Sequence, residues 1–227
     1  MTKEAMISRS AENTAVQARS QQTVRNIIAA GIKLLENSGA GALTIAGVAN
    51  EAKVAVGTVY QRFGTKEQLL AEIQSKFTAD FLAEFKDRMM RANLSDGSDP
   101  VELVEAAVKG IAETFRTHAK LLRVFILLGT ENSAVLEVGA QISKLCGEAF
   151  RGLLLRARSE IRRDNVEAAA DHAYRVVYAA CAHRVVFGTE LESDVPTSWR
   201  LLQDQLCIMI SQFLFADLPG QIKSSGS

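Results

Sequence analysis

The chain has 227 residues, 48% of them hydrophobic, and its 26 basic and 26 acidic residues balance to a formal net charge of zero. This length is enough for one small and one larger domain with buried cores. A neutral chain is a poor candidate for a protein that coats nucleic acid in bulk. The sequence shows neither an apolar run of about 20 residues that would span a bilayer nor a signal-peptide pattern, so we expect a cytoplasmic protein without a membrane partner.

The charge is unevenly distributed along the chain. Residues 1–76 contain nine basic and six acidic residues, a net charge of +3, whereas residues 77–227 carry a net charge of −3. A mildly basic first part followed by a mildly acidic remainder favours a protein that contacts DNA at one end. The asymmetry is modest and does not establish this by itself.

Polar residues dominate the first 18 positions, which we predict to form a flexible N-terminal arm. From Val24 to Leu35 the apolar positions recur with the 3.6-residue period of a helix. Gly39 and Gly41 follow, and glycine is common just past a helix C-terminus. The sequence therefore predicts one helix between the arm and these two glycines.

Two short helical patterns with a tight break between them follow in the segment 43–70. Thr44 stands before the first pattern, where a hydroxyl group can cap free N–H groups. The apolar positions of the two patterns are Ile45, Val48 and Ala49, and then Val56, Val59 and Phe63. The second helix spans only about two turns and is too short to be stable alone, so neighbouring helices must hold it. This arrangement is typical of a helix-turn-helix.

The rest of the chain also has a helical pattern, with few prolines and no strand-like alternation. Thr65 is placed to cap a long helix, and Pro100 follows Asp99 at the first position of another. The helices that we predict here cover about 66–93, 100–118, 120–128, 133–162, 164–188 and 198–215.

The most specific pattern in the chain is Gly57-Thr58-Val59-Tyr60, followed by Phe63 and by Lys66-Glu67-x-x-Leu70. Together with the preceding helix and the sequence Gly-x-x-x-Leu-Thr, it resembles the N-terminal domain of the TetR family of transcriptional repressors over residues 23–71. The resemblance implies an all-α chain, in which a three-helix helix-turn-helix DNA-binding domain precedes a helical ligand-binding and dimerisation domain. The boundaries that we predict are 1–18 for the arm, 19–72 for the DNA-binding domain, 73–217 for the effector-binding and dimerisation domain, and 218–227 for a flexible tail.

The resemblance further implies roles for individual residues in binding double-stranded DNA. Thr44 and Lys66 resemble the family residues that bind phosphates at the starts of two helices, where free N–H groups and the helix dipole favour anions. Tyr60 matches a tyrosine whose hydroxyl group reaches the DNA backbone. The remaining candidates on the recognition helix are Val56, Gly57, Thr58, Gln61 and Arg62. Glutamine can read adenine with two hydrogen bonds, threonine offers a hydroxyl or a methyl group, and glycine permits close approach.

Several positions depart from the family pattern. Lys53 stands where the family commonly has a turn glycine, so either this lysine adopts a positive φ or the turn differs. Ala55 stands at the cap of the recognition helix, where alanine caps poorly. Arg62 and Gly47 replace a frequent histidine and a common acidic residue. These departures concern the operator contacts rather than the fold. Tyr60 as an ordinary half-buried residue, and Gln61 and Arg62 as solvated surface residues, remain alternatives.

The last two helices are the candidates for a homodimer interface. The helix from Asp164 contains many small residues, which let another helix approach closely. The final helix is apolar around much of its circumference, with Leu201, Leu202, Leu206, Ile208, Met209, Ile210, Phe213, Leu214 and Phe215. A two-fold partner would bury this surface in a four-helix bundle. The alternative is that both helices wrap the core of the monomer.

An unknown small-molecule effector is expected to bind in the helical body. Aromatic and methionine side chains that could line an apolar pocket are Phe81, Phe85, Met89, Phe115, Phe125, Phe150, Tyr174 and Tyr178. Many of these are equally consistent with a plain hydrophobic core. Nothing in the sequence indicates which chemical class of ligand would bind.

No cofactor, metal ion or catalytic group is indicated by the sequence. The cysteines Cys146, Cys181 and Cys207 lie in apolar stretches without metal-ligand spacing, and we interpret them as reduced core thiols rather than as a redox sensor. The function that we expect is that of a dimeric regulator, a repressor released from a palindromic operator by its effector. The alternatives are a helical scaffold or a helical enzyme that retains the domain without binding an operator.

Overall fold

A computed structural model describes residues 3–91, 97–192 and 194–217, with side chains described from residue 17 onward. Within these ranges the chain is all-α, as predicted, and contains no β-strand. A short 3₁₀ turn, Ala40–Ala42, lies between the first two helices. The helices are α1 (Lys3–Ser38), α2 (Ile45–Ala52), α3 (Val56–Phe63), α4 (Lys66–Arg91), α5 (Pro100–Thr117), α6 (Ala119–Gly129), α7 (Ser133–Leu154), α8 (Val166–Phe187) and α9 (Trp199–Phe215).

The chain divides into two compact units, here called the N-terminal unit (Met1–Phe77) and the C-terminal unit (Thr78–Ser227). The division falls within α4, which contributes residues to both units. Our sequence-based boundary, between residues 72 and 73, lies a few residues earlier in the same helix. The predicted tail, 218–227, lies outside the described residues, as does the end of the predicted helix at residues 92 and 93.

The N-terminal helix is longer than the sequence pattern suggests. It begins at Lys3, so the segment 3–18 is helical where we predicted a flexible arm. This segment contains no glycine or proline, and it includes four alanines, two glutamates and several other good helix formers. It has few large apolar residues, so no amphipathic period marks it as helix in the sequence.

The core of the N-terminal unit contains apolar residues from all four of its helices. The most deeply buried side chains are Ile27, Leu35, Leu43, Val48, Val59, Leu69 and Ile73. Gly31 permits the close approach of α1 and α4, because a β-carbon at this position would lie 2.4 Å from Cδ1 of Ile73. Burial of this shared core holds α2 and α3, which are eight residues each and too short to be stable in isolation.

Helix α7 ends earlier than predicted. The sequence pattern suggested a helix to about residue 162, but α7 ends at Leu154 and a 3₁₀ segment, Leu155–Glu160, follows. Ala157 within this segment has non-helical φ and ψ of −94° and 27°. The backbone N–H of Arg162 donates to the carbonyl oxygen of Leu214 at 2.8 Å, which ties the segment to the end of α9. Local helix propensity does not carry this tertiary contact, and the sequence pattern continued the helix through it.

A buried arginine fixes the connection between α8 and α9. The guanidinium group of Arg184 forms a salt bridge with Glu192 and donates to the carbonyl and hydroxyl oxygens of Thr197, both at 2.9 Å. It also lies over the ring of Trp199, 5.6 Å from the ring centroid. The hydrogen bonds from Arg184 are the main cause of the lowered pKa of the Glu192 carboxyl group. The buried charge is therefore paired and hydrogen-bonded, as a buried ion must be.

Candidate nucleic-acid interface

Thr44 forms the N-terminal cap of α2. Its backbone is extended, and its hydroxyl oxygen accepts a hydrogen bond from the backbone N–H of Gly47 at 2.9 Å. A β-carbon at Gly47 would lie 2.9 Å from this hydroxyl oxygen, so glycine leaves room for the cap. The predicted capping role of Thr44 is confirmed. The other N–H groups of the first turn have no partner within the helix and remain suited to an anion.

The turn between α2 and α3 has a left-handed residue. Lys53 has φ and ψ of 56° and 45°, and among the described residues it is the one non-glycine residue with a positive φ. The backbone N–H groups of Lys53 and Val54 both donate to the carbonyl oxygen of Ala49, which closes the helix. Of the two alternatives that the sequence left open, a positive φ at Lys53 or a different turn, the structure has the positive φ. Ala55 precedes α3 without a capping hydrogen bond from its side chain, in keeping with the poor cap expected there.

Helix α3 is amphipathic, with Val59 and Phe63 buried against the N-terminal unit. Its opposite face is exposed to solvent. Tyr60 is 54% exposed, and a β-carbon added to Gly57 would meet no atom within 4 Å. The residues proposed from the sequence as DNA contacts on this helix are exposed, or in the case of Thr58 partly buried: Val56, Gly57, Thr58, Tyr60, Gln61 and Arg62.

The start of α4 combines a reciprocal cap with two charged residues. The backbone N–H of Thr65 donates to Oε1 of Gln68 at 3.1 Å, and the N–H of Gln68 donates to the Thr65 hydroxyl oxygen at 3.2 Å. Hydrogen bonding to its own backbone N–H is the main cause of the lowered pKa of the Glu67 carboxyl group. A carboxylate thus already occupies this helix terminus. A phosphate group here would depend on the exposed ammonium group of Lys66 more than on backbone N–H groups.

The basic side chains of the N-terminal unit differ in whether they form a salt bridge within the protein. Lys33 forms a salt bridge with Glu51, with Nζ and Oε1 2.5 Å apart. In contrast, Lys53, Arg62 and Lys66 are exposed and form no hydrogen bond or salt bridge within the described structure. Three unpaired cations therefore lie in the turn between α2 and α3, near the end of α3 and at the start of α4. Such groups can neutralise DNA phosphates without first breaking an internal pair.

In the C-terminal unit, five of the residues proposed for the effector pocket form a continuous chain of ring contacts. The ring centroids lie 5.8 Å apart for Phe81 and Phe115, 5.3 Å for Phe115 and Tyr178, 5.7 Å for Tyr178 and Tyr174, and 5.6 Å for Tyr174 and Phe150. The phenol group of Tyr178 is half-buried, and the other four side chains are buried. These distances are typical of aromatic pairs in a packed core.

The three other proposed pocket residues lie in the same unit. Phe85 and Phe125 are buried, on α4 and α6 respectively, and Met89 is partly buried. A β-carbon at Gly110 would lie 2.7 Å from the sulfur of Met89, so α4 and α5 are in close contact at this point. The side chains thus pack against neighbouring helices. Whether an effector opens a pocket among them stays a prediction.

Two open clefts lie in the described part of the C-terminal unit, and none of the eight proposed pocket residues lines either of them. The cleft between α4 and α5 has a volume of about 560 Å³ and is lined by Glu84, Asp87, Arg88, Arg91, Ala106, Lys109, Gly110 and Glu113. The cleft between α5 and α9 has a volume of about 410 Å³ and is lined by Val101, Glu105, Lys109, Asp204, Cys207, Ile208, Ser211 and Gln212. Both are charged and open, unlike a closed apolar ligand site.

Two polar clusters near the aromatic chain were not identified from the sequence. The Tyr174 hydroxyl group donates to the carbonyl oxygen of Ser143 at 2.6 Å and lies 3.0 Å from the Ser143 hydroxyl oxygen. Nε2 of His118 lies 2.8 Å from Oε2 of Glu84, and Oε1 of the same carboxylate forms a salt bridge with Arg88. The partners in each cluster are about 30 residues apart in the chain, so no local pattern could have brought them together.

The three cysteines are buried, as the sequence suggested. Desolvation is the main cause of their raised pKa values, to about 12 for Cys146 and Cys181 and to about 11 for Cys207. The thiolate is the reactive form, so these thiols are inert at neutral pH. In the part of the chain that the structure describes, no group of three acidic, histidine or cysteine side chains is arranged to hold a metal ion.

Helix α9 divides its apolar residues between two faces. Leu206, Ile210 and Leu214 are buried within the protomer, whereas Leu201, Ile208 and Met209 are exposed. On α8, Val176 and Phe187 are also exposed. The surface available to a partner is therefore smaller than the sequence suggested. Among the described helices, none combines the length and the apolar content that crossing a membrane would require.

Comparison with known protein families gives a match in the N-terminal unit, over the helix-turn-helix segment. The sequence model for "Bacterial regulatory proteins, tetR family" matches residues 27–73. This segment begins in the middle of α1 and ends within α4, and it contains every residue that we proposed as a DNA contact. A search of curated proteins gives no match to the chain.

Solved structures of TetR-family regulators have a fold similar to that of this chain. A TetR transcription regulator from Haloarcula marismortui superposes with a TM-score of 0.65 at 14% identity, over 86% of this chain and 97% of its own. A regulatory protein of the tetR family from Rhodococcus RHA1 gives 0.64 at 18% identity, over 86% and 98%. The fatty acid degradation regulator FadR from Bacillus halodurans gives 0.59 at 17% identity, over 82% and 94%. At these identities the likeness concerns the fold.

Proposed function

We propose that this chain, a member of the TetR family by its N-terminal domain, is a dimeric transcriptional regulator that binds an operator in double-stranded DNA. The observation that carries the proposal is the exposed face of α3, flanked by a capped helix start at Thr44 and by unpaired cations. In a helix-turn-helix protein the second helix enters the major groove and the first crosses the DNA backbone. Helices α3 and α2 take these two roles.

Base recognition is assigned to the exposed side of α3. Gln61 offers an amide group that can bond the N6 and N7 atoms of adenine, and Thr58 offers a hydroxyl or a methyl group. In the described structure, Gly57 has no neighbour within 4 Å of where a β-carbon would lie, so no contact described there requires glycine. Glycine in a helix costs stability relative to alanine. Close approach of a base or of the DNA backbone would explain why the side chain is missing.

Phosphate binding is assigned to Thr44, Tyr60 and Lys66, and to Arg62 at the end of the recognition helix. All four side chains are exposed, and two of them are unpaired cations. Such contacts position the protein on DNA without reading its sequence. They also make binding depend on salt, because each neutralised phosphate releases condensed counterions.

Dimerisation is assigned to the exposed apolar residues of α8 and α9. Val176 on α8 and Leu201, Ile208 and Met209 on α9 are exposed large apolar side chains. Two copies related by a two-fold axis can pair these helices into a four-helix bundle. A dimer presents two recognition helices, which suits a palindromic operator.

Regulation is assigned to a small-molecule effector that releases the protein from its operator, so that it acts as a repressor. Helix α4 follows the recognition helix and contributes residues to both units. A ligand that shifts α4 in the C-terminal unit can therefore act on the DNA-binding helices. The coupling must be reciprocal and is typically about 1–3 kcal/mol, which corresponds to roughly a 5- to 150-fold change in affinity. Two proteins of similar fold are fatty acid regulators, so acyl compounds belong among the first probes.

The DNA-binding proposal is tested by fluorescence anisotropy with a labelled random-sequence duplex at several salt concentrations. A regulator of this kind binds with an affinity that falls linearly on a log–log plot against salt. A scaffold or an enzyme that lacks operator binding shows no saturable binding at low salt, and that result would overturn the proposal. The effector proposal is tested separately. Compounds that raise the melting temperature are added to a DNA titration, and compounds that bind without changing DNA affinity count against ligand-controlled release.

A further inference from the structure

We infer that Lys53, in the turn between α2 and α3, is an additional DNA-backbone contact, and that this contact explains why a lysine occupies a left-handed position. The inference rests on the proposed DNA-binding function and deepens it. It is drawn from three properties of this residue: its backbone conformation, the lack of an internal partner for its side chain, and its place between the two helices of the helix-turn-helix.

The backbone of Lys53 is in a conformation that disfavours residues with a β-carbon. Its φ of 56° and ψ of 45° lie in the left-handed helical region, which glycine enters freely and asparagine tolerates. The turn needs this conformation, because the N–H groups of Lys53 and Val54 both close α2 onto the carbonyl oxygen of Ala49. Glycine would form the same hydrogen bonds without the steric penalty. Stability of the turn therefore does not account for lysine at this position.

Internal contacts of the side chain do not account for it either. The ammonium group of Lys53 is exposed and forms no hydrogen bond or salt bridge in the described structure. The contrast with Lys33 is informative, because that ammonium group is bound to the carboxylate of Glu51 on the end of α2. A strained residue with an unused charged group suggests a function outside the folded chain.

The position of Lys53 suggests which partner its charge serves. The residue stands three positions before Val56, so its α-carbon lies at most about 11 Å from that of the first residue of the recognition helix. A recognition helix occupies a major groove about 12 Å wide, and phosphates line both edges of that groove. The first helix, α2, ends at Ala52 with Lys53 as its C-terminal cap, and in a helix-turn-helix this helix crosses the backbone. The flexible lysine side chain thus extends from a point close to a phosphate ridge.

The test compares wild-type protein with Lys53→Gly, Lys53→Asn and Lys53→Arg in two measurements, thermal unfolding and anisotropy with the random-sequence duplex. Lys53→Gly should raise the melting temperature by about 2–4 °C, because the turn is relieved of strain. The same variant should lower the slope of log K against log salt by about 0.9 for each protomer bound. If the variant and the wild type bind equally well at 1 M salt, the variant should therefore bind about eightfold more weakly per protomer at 0.1 M salt.

Lys53→Asn should show the same reduction in the salt slope while keeping the left-handed turn. Lys53→Arg should have the salt slope of the wild type. The matched control is Lys33→Gln, which removes the same charge from the same unit but from an ammonium group already bound to Glu51. Its slope should equal that of the wild type. An unchanged slope in Lys53→Gly and Lys53→Asn would overturn the inference while leaving the proposed function standing. Wild-type protein that fails to bind the duplex at all would instead overturn the proposed function.

Discussion

The two units of the chain place their most informative residues in opposite environments. In the N-terminal unit, Tyr60 and Gln61 are exposed on the short helix α3 and Lys66 is exposed at the start of α4, and a shared core holds both helices in place. In the C-terminal unit, the aromatic residues that suggested a ligand site are mostly buried in ring-to-ring contacts. Exposed side chains on a fixed scaffold are available to a partner outside the protein. Buried aromatic residues are needed for packing whether or not a ligand binds, so they indicate much less.

This difference predicts that substitutions in the two units will affect different properties. Changes on the exposed face of the N-terminal unit should alter DNA binding with little effect on stability. Changes to buried residues of the C-terminal unit should alter stability first.

Aspartate at Leu206 should unfold the C-terminal unit, whereas aspartate at Ile208 should dissociate the dimer and leave the protomer folded. Leu206 is 1% exposed and Ile208 is 63% exposed on the same helix. A charge buried without a partner at Leu206 should cost roughly 3 kcal/mol or more, whereas an exposed substitution usually changes protomer stability by less than about 0.5 kcal/mol. Circular dichroism and light scattering would measure folding and mass together. An Ile208→Asp protein that remains dimeric would show that the interface lies elsewhere.

Alanine at Thr58 or Gln61 should relax the base preference at one or two positions in each half-site. A true base contact is worth about 1–3 kcal/mol of discrimination, so each loss should be visible as a flattened position in a binding-site profile. Thermal stability should stay close to wild type, since Gln61 is exposed and Thr58 is partly buried without a side-chain hydrogen bond. If both variants select the same consensus as the wild type, the recognition face has been assigned wrongly.

Alanine at Lys66 should weaken binding to all duplexes equally. Removing one phosphate contact should reduce the salt slope by about 0.9 per protomer, which corresponds to about 1 kcal/mol at 0.1 M salt. The lysine is exposed and makes no hydrogen bond within the described structure, so unfolding curves should not change. A salt titration with specific and random duplexes measures the slope. Identical slopes and affinities for variant and wild type would remove Lys66 from the interface.

Alanine at Gly57 should stabilise the protein while weakening DNA binding. The added β-carbon meets no protein atom within 4 Å, and alanine in a helix is more stable than glycine by up to about 1 kcal/mol. On DNA, the same methyl group would occupy space that the groove requires. Gly139→Ala in α7 is the control, because that glycine is also helical and has open space around it. The control should stabilise without affecting DNA affinity, and a Gly57→Ala protein that binds normally would contradict the close approach.

Much of the N-terminal unit could be predicted from the sequence, because short-range signals agree there. Thr44 and Thr65 mark helix starts, Val59 and Phe63 define a buried face, and a positive φ at Lys53 was one of two alternatives for the turn. Each of these depends on residues within one or two turns of each other. The family resemblance then connected the exposed positions to DNA.

Other features depend on contacts that no local pattern carries. Arg162, just after the 3₁₀ segment that follows α7, bonds to Leu214 about 50 residues away. The inward position of Leu206 could not be predicted, because α9 is apolar on several sides and gives no direction to its buried face. The helical segment 3–18 has the opposite problem, since helix propensity acts there without an amphipathic stripe.

The central claim is that the exposed face of α3, presented twice by a symmetric dimer, reads a DNA sequence. Selection of bound molecules from a random duplex pool tests it most directly. The account predicts enrichment of an inverted repeat whose half-sites are about one DNA turn apart, roughly 34–36 Å, or a multiple of that distance. It also predicts that Gln61→Ala alters the repeat symmetrically in both halves. A pool that shows no enrichment, or enriches a sequence without two-fold symmetry, would contradict the claim.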